Sequence, residues 1–146
     1  MKLDFQLAEP ITDEGSWSQA DEEDFRYRVA LGDLIMEIGS TNFSTNWGWI
    51  PLIDVAVSLQ RIAEELQRPG RTQTFEFTES ESWLRFRRQE DDVIVTASYA
   101  PGNARVEYSR FIDAIQHLKK QLRQELLRLN PALARNPDFQ RLLPEG

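Results

Sequence analysis

Cysteine is absent from the sequence, and histidine occurs once, at His117. The first absence excludes disulfide scaffolds and thiolate zinc sites, and leaves no argument for an oxidising compartment. Long apolar runs are missing too. No stretch approaches the roughly 18 apolar residues of a membrane span, and Met1 to Phe5 opens no apolar signal core. The expected setting is therefore cytoplasmic, with no membrane partner. No Gly-rich phosphate loop, no G-x-S-x-G and no H-E-x-x-H occurs, so no enzyme chemistry, cofactor or metal is announced.

Positive charge is scarce in the first part of the chain. Residues 1–60 hold 11 acidic side chains against 3 basic ones, a net of −8, whereas residues 61–146 hold 13 against 14, a net of +1. Seven of the sixteen residues from Glu9 to Asp24 are acidic and none is basic. Phosphate contacts need clustered Lys and Arg, so a sequence pI near 4.8 argues against nucleic-acid binding and permits a basic protein partner. Acidity of this degree also serves solubility alone.

What is present is enough for one domain spanning 1–146. Apolar residues make up 40% and charged residues 28%, close to globular averages. Leu3, Phe5 and Leu7 alternate with polar residues and predict a strand over 2–7. Residues 9–24 predict an acidic loop, because Pro10 and Gly15 interrupt any period. Phe25 to Leu31 alternates again, and a Gly32-Asp33 turn then joins it to Leu34–Ile38 as a hairpin.

Pro51 opens the clearest helix. Leu52, Val55, Ala56, Leu59, Ile62, Ala63 and Leu66 form its buried stripe, with Asp54, Ser58, Arg61 and Glu65 on the wet face. Strands follow at 72–78, 82–88 and 93–99 as an antiparallel meander, then a turn over 100–103 and a short run over 105–108. Ser109 is the expected N-cap of a second long helix whose stripe is Phe111, Ile115, Leu118, Leu122, Leu126 and Leu129. Asn130-Pro131 and Asn136-Pro137 repeat one device, an Asn cap with Pro at the first helical position. The expected fold class is α+β: an antiparallel sheet of about six strands, two long amphipathic helices on one face, and a short C-terminal helical segment.

Four groups could carry chemistry. His117 stands four residues after Asp113, where the two could pair on a helix surface. Glu76, Glu79 and Glu81, with Asp91 and Asp92 one hairpin away, could supply paired carboxylates, with Trp47 and Trp49 lining a pocket. Arg85, Arg87 and Arg88 beside Trp83 read as cross-strand ion pairs rather than as a nucleic-acid patch. Trp47 and Trp49 are expected to lid the core. Trp17, inside the acidic segment, is either an interface anchor or core.

The runs Arg28–Leu34, Pro51–Ala56, Phe75–Ser80 and Ser98–Pro101 resemble those of small uncharacterised bacterial single-domain proteins similar to immunity proteins of the polymorphic-toxin type. That resemblance implies a stand-alone domain that binds and blocks another protein.

The leading expectation is a non-enzymatic protein-binding module, an immunity or antitoxin-like inhibitor of a basic partner such as a toxin. Asp13, Glu14, Trp17, Asp21, Glu22, Glu23 and Asp24 form its candidate binding surface. A carboxylate-dependent enzyme or small-ligand binder, and a homodimer paired through a free strand edge, are the alternatives.

Overall fold

A computed structural model of the chain describes residues 1–8, 17, 19–78 and 80–145. The fold is α+β. Among the described residues it holds eight strands in two four-stranded antiparallel sheets, where the sequence pattern suggested about six strands in one.

Strand β1 (Lys2–Leu7) pairs with β2 (Leu31–Ile38), and β2 pairs on its other side with the two-residue strands β3 (Thr41–Asn42) and β4 (Ile50–Pro51). The second sheet is the expected meander of β5 (Thr72–Glu76), β6 (Trp83–Gln89) and β7 (Asp92–Ala97), extended by a fourth strand, β8 (Ala100–Glu107). Phe75, Leu84, Phe86, Val93, Val95, Ala104 and Val106 are buried on its inner face, and Arg85, Arg87, Arg105 and Glu107 are exposed on the other. This is the alternation of a sheet with one dry face.

Before β2 runs a short helix α1 (Glu22–Asp24) that widens into a π turn over Phe25–Val29. Helix α2 (Leu52–Glu65) packs on helix α3 (Tyr108–Leu129) and on β5 and β2, while α3 also covers β1. A 3-10 turn (Pro131–Arg135) and helix α4 (Pro137–Leu142) close the described chain. The buried side chains of both sheets, the π turn, α2, α3, the 3-10 turn and α4 form one core.

Several expectations need correction. Phe25 to Val29 is helical, not a strand. Phe25 and Val29 are 1% and 5% exposed, and a spacing of four satisfies a helix as well as a strand. Tyr27, which an alternating strand would bury beside them, is instead 41% exposed. The overlooked signal is Asp21-x-x-Asp24. The Asp21 carboxylate accepts the Asp24 amide at 2.9 Å, and the Asp24 carboxylate accepts the Asp21 amide at 3.2 Å, a reciprocal cap.

Gly32-Asp33 is likewise no turn. Both residues lie inside β2, opposite Leu7 and Gln6. A Cβ on Gly32 would stand 2.1 Å from the Gln6 carbonyl oxygen, so glycine here permits close backbone approach. The expected turn over 100–103 is the start of β8; the reversal is made by Ser98-Tyr99, next to a bulge between Thr96 and Ala97. Helix α3 begins at Tyr108, one residue before the expected Ser109 cap.

Both Asn-Pro devices hold. Asn130 accepts from the Ala132 amide at 3.2 Å, and Asn136 from those of Asp138 and Phe139 at 2.9 and 3.1 Å. Asn136 also donates to the Ala20 carbonyl at 3.0 Å, which ties the end of the acidic segment to α4.

Candidate partner-binding surface

Helix α1 and its π turn bring the acidic residues to the surface. Asp21, Glu22 and Glu23 are exposed and Asp24 is half-buried, all four lying in the cap and first turn, where a helix N-terminus favours negative charge. Two arginines answer them. Arg28 reaches Asp24 at 2.7 Å and Glu23 at 3.9 Å; Arg141 of α4 reaches Asp138 at 2.8 Å and Glu22 at 3.7 Å. The hydrogen bond from Arg28 holds the Asp24 carboxyl below its ordinary range, and the same bond raises the Arg28 guanidinium. Five carboxylates around two arginines leave a net of three negative charges on this rim.

The rim is fixed to the core from beneath. Arg26 donates through Nε at 2.9 Å and Nη2 at 2.7 Å to one oxygen of Asp54 on α2. Asp54 is 5% exposed and Ser58 is 6% exposed, so neither lies on a wet face as the helix pattern suggested. Once residues 25–29 coil, Arg26 points at α2 and the carboxylate is buried under it. Burial opposes the Arg26 charge, but the hydrogen bond and charge of Asp54 outweigh it and raise its pKa. Phe25 packs its ring on Phe139 of α4, centroids 5.8 Å apart.

Trp17 is 3% exposed and belongs to the core, which removes it as an exposed anchor. Its carbonyl accepts the Ala20 amide at 3.2 Å. Asp13 and Glu14 lie outside the described residues. The aromatic that does face solvent is Tyr27, the only large hydrophobic exposed among the described residues. It stands with Glu23, Arg28, Leu31, Trp49, Pro51 and Thr78 around an open concavity of about 690 Å³. Sequence reasoning missed Tyr27 because a strand period put it in the core.

Trp49 is placed there by a local device. Asp33 accepts the Gly48 amide at 2.8 Å, which folds the 45–48 loop against β2. Trp47 then stacks on Trp49 at 5.3 Å and meets Phe77 and Tyr99 edge-on at 5.3 and 5.1 Å. Trp47 therefore lids the core, as expected. The Tyr99 hydroxyl donates to the Phe43 carbonyl at 2.6 Å, and burial pushes its pKa well above the ordinary phenol value.

The other candidates do not assemble. Glu76 faces Trp83 at one end of β6, and Asp92 faces Gln89 at the other. Six residues of strand separate them by about 20 Å, too far for paired carboxylates. Glu79 lies outside the described residues, and no cluster among the described ones could hold a metal ion. Asp113 and His117 share the lining of a cleft beside β1 without forming an ion pair.

Arg85 stacks over Trp83 at 4.3 Å and Arg88 over Tyr108 at 4.1 Å, while Arg87 reaches Gln89 at 3.5 Å. None makes the expected cross-strand ion pair with a described carboxylate; Arg105 makes one instead, with Asp92 at 2.9 Å. Strand β1 is the edge of its sheet among the described residues, and there the Phe5 amide donates to Asp4 at 2.8 Å.

No described helix is long and apolar enough to cross a membrane. The chain matches no known protein-family model, no curated protein and no solved structure.

Proposed function

We propose that this chain is a non-enzymatic protein-binding module, an inhibitor of the immunity or antitoxin kind, working in the cytoplasm on a basic partner such as a toxin. The observation that supports the reading is Tyr27, 41% exposed on the acidic turn and overlooking the concavity with Trp49. Tyr is enriched among interface residues that carry binding energy, because it joins a large apolar face to a hydroxyl. The acidic rim beside it would attract a basic surface at long range and set the encounter rate, while Tyr27, inserted into the partner, would set the lifetime of the complex.

The test is capture of partners by the full chain, compared with Tyr27→Ala and with the Glu22→Lys, Glu23→Lys double variant. Expected is a basic protein that wild type retains, that binds Tyr27→Ala about 30-fold more weakly, and whose association slows as salt screens the rim. A partner held equally by all three chains, or an association rate indifferent to salt, would overturn the reading. Tyr27 is exposed, so its removal leaves the core intact.

A further inference from the structure

A cleft unrelated to the acidic rim lies along the far flank of α3, closed by the C-terminal residues Pro144 and Glu145. Its volume is about 550 Å³, within the usual range of small-molecule sites. Helical spacing brings Gln116, Lys119, Lys120, Arg123 and Leu127 to this one flank. Three cations thus face one carboxylate, Glu145, in a chain whose net charge is −7.

None of these cations is in an ion pair among the described residues. No described carboxylate comes within ion-pair distance of Lys119, Lys120 or Arg123; the same holds for Arg61, Arg68, Arg71, Arg85, Arg87, Arg88 and Arg135, but of these only Arg88, stacked over Tyr108, is half-buried rather than exposed. Lys119 and Arg123 are also half-buried. Burial pulls the Lys119 ammonium below the ordinary lysine pKa, with only the more distant Glu64 opposing it. Arg123 is held in place by its neighbours: Nη2 donates to Gln140 at 2.9 Å, and the guanidinium lies over the Phe139 ring at 5.7 Å. Its Nε–H is buried with no acceptor. A partly desolvated pair of cations, one turn apart and with no described carboxylate at ion-pair distance, is a standing cost that an anion would relieve.

We infer that this cleft binds an amphiphilic organic anion, its carboxylate or phosphate between Lys119 and Arg123 and its apolar body against Leu127 and Pro144. Lys120, exposed at the rim, adds attraction without being displaced from water. The apolar floor matters as much as the charge, since inorganic anions gain nothing from Leu127 or Pro144.

The experiment is a titration of the ¹⁵N-labelled full chain, followed by nuclear magnetic resonance, with decanoate, decyl phosphate, decanol and inorganic phosphate below micelle formation. Expected are saturable shifts confined to residues 116–127 and 144–145 with decanoate or decyl phosphate, and none that saturate with decanol or inorganic phosphate. The tighter of the two amphiphiles identifies the head group. Lys119→Gln should weaken binding at least tenfold while the spectrum of the free chain stays folded. Arg123→Gln is read only beside it, because Arg123 also braces Phe139 and Gln140. Equal binding of decanol removes the role of the cations, and equal binding of inorganic phosphate removes that of the floor. Undiminished binding to folded Lys119→Gln, or no saturable shift at all, overturns the site.

Discussion

The acidic rim around α1 and the cleft beside α3 carry opposite charges, and they differ most in how those charges are held. The rim is conspicuous in the sequence, yet Arg28 and Arg141 partly neutralise it, and the arginine beneath it, Arg26, is paired with Asp54. The cleft lies in the near-neutral part of the chain, yet Lys119, Lys120 and Arg123 face no described carboxylate at ion-pair distance. A count of charges along a chain therefore locates excess but not availability. Availability depends on which side chains the fold brings within about 4 Å, and an exposed pair is worth little while a half-buried unpaired charge is costly.

This contrast can be broken at its strongest point first. Asp54→Ala should destabilise the chain by about 3 kcal/mol, because it leaves Arg26 half-buried without its acceptor. Urea unfolding measures this, and a loss below about 1 kcal/mol would mean that the rim is not anchored through α2. Asn136→Ala should cost about 2 kcal/mol, from two uncapped amides of α4 and the lost bond to the Ala20 carbonyl. If Asn136 ties the acidic segment down, amide exchange near Ala20 should quicken in this variant before the rest of the core responds.

The smallest effect concerns the cleft. Lys119→Gln should raise stability slightly at pH 7, by less than about 0.5 kcal/mol. The sign follows from its lowered pKa. The folded chain binds this proton more weakly than the unfolded chain, so the charged form opposes folding below the folded pKa, and that penalty fades as pH rises toward the unfolded value. Burial drives that shift and Glu64 opposes it, while Lys120, Arg123 and Glu145 line the same cleft. The advantage of Lys119→Gln should therefore shrink between neutral pH and about pH 10.4. A variant that is less stable than wild type at pH 7 would show the lysine to be satisfied after all.

Most of the second half of the fold was legible. The meander over 72–97, the stripe of α3 and both Asn-Pro caps follow from periods and cap chemistry that act within a few residues. The first half was legible only in part. Phe25 and Val29 satisfy both periods, and the choice between them lies in the Asp21–Asp24 cap and in Phe139, which comes from the other end of the chain. The candidate surface shifted for the same reason. With residues 25–29 coiled, Tyr27 turns outward and Asp54 inward, while Trp17 lies in the core.

By itself the sequence determined the α+β class, the two long helices, three strands of the meander and the lopsided charge, because composition and short-range periodicity are local properties. Only the tertiary structure decided that the strands divide into two sheets, that Gly32 serves close approach rather than a turn, and that Tyr27 is the exposed aromatic. It also decided which charges are paired. The physical reason is common to all four: each depends on a partner distant in sequence, such as Gln6 for Gly32 and Asp54 for Arg26, whose position is set by packing around one shared core.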